Sequence, residues 1–228
     1  MMKNYNSIPH LSTSKLTQQA DRKISELQEI NLTKNPRDWK DLIIVTEKLD
    51  GSNVGILKQD KKLIAITRSG FLASVSNHKQ HNIFALWVKN NQFMFKWLPE
   101  GWRIAGEWCI QAHGTLYDIT NYLPFLAFDI FDENNKQLEY ISFLMLCANK
   151  NIPHVPLLHI GQPISIKNAV KLLNKGHYGN PEKPEGVVYR LEREGRCCYM
   201  AKWVRHDKED GKYLKDKEIW NTGANLYE

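Results

Sequence analysis

The chain has 228 residues, of which 42% are hydrophobic and 25% are charged, and its formal net charge is +6. This composition excludes an intrinsically disordered protein, and the most apolar stretch, residues 122–131, is too short to cross a bilayer. The length allows one domain with a sizeable core and is short for two domains. The positive charge favours polyanionic partners without requiring them.

Cysteine, histidine and N-terminal patterns narrow the class of protein further. Residues 1–14 contain no apolar stretch resembling a secretory signal, so we expect a cytoplasmic protein without a membrane segment. The four cysteines show no CxxC spacing and are predicted to be reduced; the adjacent Cys197 and Cys198 are poor partners for one disulfide. The eight histidines show no HxH or HExxH spacing, so no metal cage built by protein side chains is predicted.

The first half of the chain is predicted to hold a helix, a set of strands and a second helix. Residues 17–30 fit a short amphipathic helix, which the following NPRD sequence ends. The β-branched runs at 41–48, 53–59 and 61–69 predict strands and a hairpin. Apolar residues between 77 and 98 recur at helical spacing, which predicts a core-facing helix broken near the NNQ sequence.

The second half of the chain mixes strands and helices without a regular alternation. The predicted strands are 102–112, 123–131, 185–193 and 197–205, the last two forming a hairpin around the sequence EGR. Helices are predicted at 138–150 and 165–175, the latter with Ser165 as N-cap. Because there is no βαβ repeat, we expect an α+β fold with largely antiparallel sheets. No internal repeat or linker indicates a domain boundary.

The sequence EKLDGSN, residues 47–53, places Lys48 at the end of a predicted strand and before a glycine turn. A lysine ammonium is a poor nucleophile at neutral pH, because its ordinary pKa is about 10.4. Burial, neighbouring cations or a metal ion lower that pKa, so a lysine held in a cleft can lose its proton and attack. Taken alone, the sequence is more often only a turn.

Further short patterns follow in order along the chain. They are TRSG with Arg68, GEW with Glu107, FLAFDIF with Phe128, EGVVYR with Glu185 and Arg190, and AKWVR with Lys202. Singly, each polar residue is more simply a strand-end or surface residue, and the phenylalanine is more simply a core residue. Their occurrence together, in this order, favours a functional arrangement.

In this order and at this spacing, the motifs resemble the nucleotidyltransferase motifs of ATP-dependent polynucleotide ligases and mRNA capping enzymes, from about residue 43 to 205. Glu47 before the lysine and Asn53 after it make the chain most similar to the phage RNA ligase 2 branch. The resemblance implies the ATP-grasp-like catalytic domain of DNA and RNA ligases, with largely antiparallel sheets flanked by helices. We expect a single nucleotidyltransferase domain over 1–228, with an N-terminal extension (about 1–40), a basic tail (about 206–228) and no OB-fold.

The resemblance also implies the chemistry of the reacting residues. Lys48 would attack the α-phosphorus of ATP, expel pyrophosphate and form a lysyl-AMP intermediate. Glu47 would read the adenine edge and Phe128 would stack on adenine. Asn53 would engage the terminal nucleotide or the adenylate.

The remaining matched residues are implied to handle phosphates and a divalent ion. Arg68 and Glu107 would hold ribose and phosphate groups, and Lys202 would neutralise charge on the α-phosphate. Glu185 would position Mg²⁺ or Mn²⁺, which binds through one or two carboxylates plus substrate phosphates and so needs no obvious metal motif. The implied cofactors are ATP and Mg²⁺ or Mn²⁺. The implied partners are RNA ends, in nicked or broken RNA or in RNA–DNA hybrids, with no membrane.

The chain departs from the family pattern in two ways. The last motif normally has two lysines one residue apart, but Met200 or Val204 takes one of these places, and Arg190 or Arg205 is the candidate replacement charge. About two dozen residues follow Arg205, fewer than an OB-fold needs. The mixed-sign run 205–218 is predicted to be a solvated face. Strand joining is therefore expected to depend on the domain's own basic surface or on a partner protein, with salt-sensitive binding.

Three functional alternatives follow from the residues and the resemblance. The favoured one is an ATP-dependent RNA ligase that transfers AMP to a 5′-phosphate and seals it to a 3′-hydroxyl, as in RNA repair. A DNA ligase or a GTP-using capping enzyme is the enzymatic alternative. A nucleotide-binding or RNA-binding module that has lost catalysis is the non-enzymatic one.

Overall fold

The computed structural model describes residues 4–16, 21–179, 182–214 and 218–226. In these ranges the helices are α1 (Glu26–Thr33), α2 (Lys79–Asn90), α3 (Gln92–Phe95), α4 (Tyr140–Lys150) and α5 (Ile166–Leu173). The strands are β1 (Asp41–Lys48), β2 (Ser52–Gln59), β3 (Lys62–Thr67), β4 (Arg103–Trp108), β5 (Phe125–Phe131), β6 (Leu157–Gly161), β7 (Gly186–Arg193) and β8 (Arg196–Val204). No helix in the described ranges has both the length and the apolar character needed to span a membrane.

The strands form two four-stranded antiparallel sheets, which confirms the predicted α+β class. One sheet has the order β6-β1-β7-β8 and the other has the order β3-β2-β4-β5. Consecutive strands β1 and β2 lie in different sheets, so residues 49–51 form the corner between them. Lys48, the last residue of β1, pairs with Gly186 of the first sheet, and Ser52 pairs with Trp108 of the second. The sequence EKLDGSN therefore joins the two sheets.

Side-chain alternation along β1 directs Lys48 towards the second sheet. Ile43 and Val45 pack in a core with α1 and α5, whereas Ile44 belongs to the core that includes α2, α4 and the second sheet. Residues two and four positions apart on a strand share a face. Lys48 thus shares the face of Ile44, between the sheets.

Most of the predicted helices and strands are present, and the differences are local. The helix break near residue 91 is confirmed, since Asn91 caps α2 and donates its backbone N–H to Trp87 O. The Ser165 N-cap is also confirmed, because its side chain accepts from Asn168 N. The predicted first helix, 17–30, is wrong over residues 21–25, which are not helical, while residues 17–20 lie outside the described ranges. Helix α1 begins at Glu26, with Ser25 as N-cap in a capping box with Gln28. Strand β6, with only five residues, was not predicted.

A buried ion-pair cluster joins the two sheets. Arg190 of β7 donates to Asp129 of β5 at 2.5 Å and to Glu192 at 2.7 Å, and the side chains of all three are at most 4% exposed. Glu192 in turn accepts the backbone N–H of Tyr140, at the start of α4. The Tyr5 hydroxyl donates to Asp129 at 2.5 Å. The cluster therefore fixes one end of the space between the sheets.

Most described residues of the run 205–218 are exposed, as predicted, but Lys208 within that run and Asn221 beyond it are buried. Lys208 is 1% exposed and Asn221 is 2% exposed. The Asn221 side chain donates to Cys109 O and accepts from Tyr117 N, and Ala112 N donates to Ile219 O. We call residues 205–214 and 218–226 the C-terminal strap, because they fold back over the loop that follows β4. Buried carboxylates at Asp50 and Glu185 give Lys208 ion-pair partners that the mixed-sign pattern does not reveal.

Removing the Asp129 carboxylate should strongly destabilise the fold. Asp129→Ala leaves the buried Arg190 without its partner on β5, so we expect a loss of about 3–5 kcal/mol in the free energy of unfolding. Urea denaturation measures the loss. As a control, Asp207→Ala removes an acid that is 58% exposed and pairs with Lys183 and Arg205, so less than about 1 kcal/mol should be lost. Equal losses for the two variants would refute the role of the buried cluster.

Candidate functional site

A cavity of about 830 Å³ lies at the corner between the sheets. Residues of both sheets, of the N-terminal segment 5–8 and of the C-terminal strap line it. All the predicted site residues are among its lining residues: Glu47, Lys48, Asn53, Arg68, Glu107, Phe128, Glu185, Arg190 and Lys202. The fold thus brings together motifs that are spread over more than 150 residues of sequence.

Lys48 and Glu185 form an ion pair in the wall of this cavity. Lys48 Nζ lies 2.5 Å from Glu185 Oε2, with the two side chains 21% and 4% exposed. The other carboxylate oxygen, Oε1, accepts from Lys208 Nζ at 2.6 Å. Each oxygen of the buried Glu185 therefore binds one ammonium group.

The charge state of Lys48 differs from the expectation drawn from the sequence. Burial alone lowers its pKa, but the nearby carboxylates of Glu185, Glu107 and Asp50 together raise the pKa above the ordinary lysine value. The raised pKa favours the ammonium form of Lys48, in contrast to the lowered pKa that a nucleophilic lysine leads us to expect. The amine can attack only after this proton has left.

Glu107 is placed beside Lys48 by a close approach of the corner to β4. A Cβ on Gly51 would lie 2.5 Å from Trp108 O, so only glycine allows the backbones to come this close. Gly51 N donates to Glu107 Oε1 at 2.9 Å, and Asn53 lies opposite Glu107 in the pairing of β2 with β4. Burial raises the pKa of Glu107 to about 7, although Lys48 and the Gly51 hydrogen bond act in the opposite direction.

At another part of the cavity wall, Phe128 and Arg68 contact the N-terminal segment. The Phe128 ring lies edge-on to the Tyr5 ring, with centroids 5.0 Å apart. Arg68 Nε donates to Tyr5 O at 3.2 Å, and Tyr5 N donates to Arg68 O at 2.8 Å. Tyr5 was missed by the sequence analysis, because an irregular segment gives no periodic signal that links it to a distant strand.

Lys202 faces the cavity from β8, and neither of its alternate neighbours supplies a charge. Lys202 pairs with Val188 across the hairpin, and burial lowers its pKa, with Lys48 contributing in the same direction. Met200 lines the cavity, whereas Val204 is 1% exposed in the core. Both positions beside Lys202 on this face of the strand are therefore apolar.

The two arginines proposed as replacement charges are engaged by other groups. The Arg190 guanidinium is balanced by Asp129 and Glu192. Arg205 donates to Pro184 O and pairs with Asp207, and it is not among the residues that line the cavity. Glu47 is 1% exposed, and its Oε2 accepts the backbone N–H of His177 at 2.7 Å, which fixes the carboxylate at the edge of the cavity.

Divalent-ion binding is compatible with the acids of this site. Among the described residues, no group of three or more His, Cys, Asp or Glu side chains is arranged to hold a metal ion. Mg²⁺ keeps most of its waters and binds through one or two carboxylates plus substrate phosphates, so such a group is not required. Glu185 fits this role, and Glu107 and Asp50 add negative charge near the Lys48 amine.

Comparison with known proteins places this geometry in a family. Residues 41–204 match the family model described as RNA ligase. The chain belongs to the RNA ligase family. An uncharacterized protein of Methanocaldococcus jannaschii is 28% identical over 155 residues, which are 66% of this chain and 38% of the relative. The chain therefore spans well under half of that relative.

Solved structures share the fold of this RNA ligase family member. An archaeal ATP-dependent RNA ligase is similar with a TM-score of 0.59 and 17% identity, over 89% of this chain and 48% of that one. A Naegleria gruberi RNA ligase solved with ATP and Mn gives a TM-score of 0.54 and 18% identity, over 78% of this chain and 51% of the other. A putative ATP-dependent DNA ligase from Aquifex aeolicus gives a TM-score of 0.53 and 19% identity, over 88% of this chain and 49% of that one. At these identities the likeness shows the fold.

The raised pKa of Glu107 should make stability depend on pH. Its pKa is about 7 when folded and 4.5 as the ordinary value, so between these values the folded protein binds more protons and stability falls as pH rises. Glu107→Gln can still accept from Gly51 N and carries no charge. In EDTA we expect it to stabilise the fold by about 2–3 kcal/mol near pH 8 and by almost nothing near pH 4.5.

Urea denaturation across this pH range measures the difference. The exposed Glu218→Gln serves as the control and should track the wild type at every pH. A difference between Glu107→Gln and the wild type that stays constant with pH would contradict the assignment.

Proposed function

We propose that this protein is an ATP-dependent RNA ligase in which Lys48 becomes covalently linked to AMP. The observation that carries the proposal is the Lys48 amine, 2.5 Å from Glu185 in a cavity that Phe128, Arg68 and Lys202 also line. A cavity of about 830 Å³ is within the usual size range of small-molecule sites. Membership of the RNA ligase family supports the reaction class.

In the first step, Lys48 Nζ forms a bond to the α-phosphorus of ATP. The bond from that phosphorus to the bridging oxygen breaks, and pyrophosphate leaves. One proton leaves the ammonium before attack and a second leaves the nitrogen afterwards; Glu185 and Glu107 are the nearby carboxylates that can accept them. The product is a lysyl-AMP phosphoramidate.

Positioning and charge neutralisation account for the other residues, as in phosphoryl transfer generally. Lys202 offsets charge on the α-phosphate, and Arg68 and Asn53 contact phosphate, ribose or the RNA end. The face of Phe128 stacks on adenine. A divalent ion brought in with ATP would neutralise phosphate charge, and Glu185 would hold it.

In the later steps, the 5′-phosphate of an RNA end takes AMP from Lys48, and a 3′-hydroxyl then displaces AMP and closes the strand. The net charge of +6 suits binding to RNA, and such binding should weaken steeply with salt. We propose nicked or broken RNA as the substrate, and RNA–DNA hybrids as a second substrate class. A partner protein would assist in binding the RNA. Sealing assays on matched nicked RNA, hybrid and DNA duplexes separate an RNA ligase from a DNA ligase.

A catalytically lapsed nucleotide-binding module is the second candidate. Two observations favour it: carboxylates keep Lys48 protonated, and the positions flanking Lys202 on its face of β8 are Met200 and Val204. This candidate predicts ATP binding without a covalent product.

Lys48→Met should abolish the covalent product, because it removes the amine proposed to attack phosphorus. With ATP and Mg²⁺, the wild type should gain the mass of one AMP on Lys48, and pyrophosphate should remove it. Intact-protein and peptide mass spectrometry detect the change, and GTP in place of ATP tests capping-type activity. The exposed Lys89→Met on α2 should label like the wild type. A wild type that binds ATP and never gains mass would favour the lapsed module.

Phe128→Ala should weaken ATP binding more than it slows the reaction of bound ATP. Base stacking on an aromatic ring contributes about 1–3 kcal/mol, so the ATP concentration at half-maximal labelling should rise about 5- to 150-fold. Phe128→Tyr keeps the ring and should stay near the wild type. Phe93→Ala removes an aromatic residue that is 71% exposed on α3 and is the matched control. Unchanged ATP dependence in Phe128→Ala would exclude the stacking role.

A further inference from the structure

Lys208 is a buried lysine that no sequence motif identifies. It lies on the C-terminal strap, six residues after Lys202, and is 1% exposed. Its Nζ lies 2.6 Å from Glu185 Oε1 and 3.0 Å from Asp50 Oδ1, with Asp210 at 3.7 Å. A buried ammonium is stable only with such partners, and two neighbouring carboxylates likewise need a cation between them.

The loop after β4 is shaped to admit this side chain. A Cβ on Gly114 would lie 2.8 Å from Lys208 Cε and 2.4 Å from Glu209 O, so a side chain there would block the approach. Gly114 N donates to Asp50 Oδ2 at 2.8 Å. Tyr213 N donates to His113 O at 2.7 Å, which anchors the strap to the same loop. The position of Lys208 is therefore set by several independent contacts.

Lys208 connects the two segments that carry the proposed chemistry. Asp50 follows Lys48 at the corner, and Glu185 precedes β7. Because Glu185 Oε1 binds Lys208, its Oε2 is directed at the Lys48 amine. Without Lys208, the carboxylates of Glu185 and Asp50 would lose their shared counter-ion, and both would move.

We propose that Lys208 is a positioning residue of the nucleotidyl-transfer site, which holds Glu185 and Asp50 in place around Lys48. The inference rests on the proposed function and adds the C-terminal strap to its active site. Lys208 acts through the two carboxylates, whereas Lys202 faces ATP. It supplies the buried cation that Met200 and Val204 do not.

Single-turnover labelling with ATP tests the proposal, because it measures the maximal rate of lysyl-AMP formation separately from the affinity for ATP. For Lys208→Met we expect the maximal rate of lysyl-AMP formation to fall about 10²- to 10³-fold, as for loss of an electrostatic positioning group. The ATP concentration at half-maximal rate should change less than about 3-fold, since Lys208 is 1% exposed and its ammonium is held by Asp50 and Glu185. Lys212→Met, on the exposed part of the same strap, should keep the wild-type rate.

A double-mutant cycle and crystal structures complete the test. Asp50→Asn with Lys208→Met removes both charges, so its rate loss should be smaller than the product of the two single losses. If Lys208→Met alone does not fold, the pair is compared with Asp50→Asn, and a further fall in maximal rate with little change in ATP dependence supports the action of Lys208 through Glu185, whereas an unchanged rate overturns it. In the Lys208→Met crystal structure, Glu185 Oε2 should leave its 2.5 Å contact with Lys48 Nζ.

The outcomes separate this proposal from the proposed function. A wild type that never forms lysyl-AMP overturns the proposed function alone, because the crystal structures still decide whether Lys208 positions Glu185. A wild-type rate in Lys208→Met overturns the positioning role, as does a rate loss explained entirely by weaker ATP binding. So does a Glu185 side chain that stays in place without Lys208.

Discussion

The site depends on one buried carboxylate, that of Glu185, which is shared between two lysines. A carboxylate with 4% exposure is stable as an anion only when cations or hydrogen-bond donors surround it. Lys48 comes to it from the end of β1, and Lys208 comes to it from the C-terminal strap. The electrostatic requirement of one side chain thus joins three segments that are far apart in sequence, and it places the amine at the corner between the sheets.

The same contact creates a conflict between resting stability and reactivity. The acids around Lys48 stabilise its ammonium form and so keep it from attacking phosphorus. Under the proposed function, other cations must replace Lys48 as the partners of these carboxylates when ATP is bound. Lys208 already satisfies one oxygen of Glu185, so only the contact with Oε2 has to change for the amine to be released. A site with perturbed charges in a cleft is typical of catalysis, and here each perturbation has a named cause.

The sequence predicts those parts of the structure that have a local signal. Alternating β-branched residues identify β1, β2 and β7, and Ser165 identifies the start of α5. The short motifs identify nine residues that all line one cavity.

Other features depend on contacts between distant segments, which sequence periodicity cannot show. Tyr5 lies in an irregular segment and is held by a hydrogen bond to Asp129 and by ring contact with Phe128. Lys208 lies in a run of mixed charge, and only the glycine at position 114 and the acids at Asp50 and Glu185 make it a buried residue. Strand β6 is short and follows two prolines, so its composition does not identify it as a strand. Its pairing with β1 does.

Two buried charge clusters lie along the pairing between β1 and β7, one near its middle and one at its Lys48 end, and under the proposed function they bear on how a nucleotide lies in the cavity. The Arg190 cluster is opposite Ile44, and the Glu185 cluster is next to Gly186, which pairs with Lys48. Four residues of strand separate these positions, or about 13 Å. Between them lies Val188, which pairs with Thr46 on one side and with Lys202 on the other, whereas Met200 pairs with Arg190. Asp129 and Glu192 already balance the Arg190 guanidinium, so phosphates gain little at that end, whereas under the proposed function Lys202 attracts them to the other. Under the proposed function, this charge distribution would orient the base towards Phe128 and the phosphates towards Lys48.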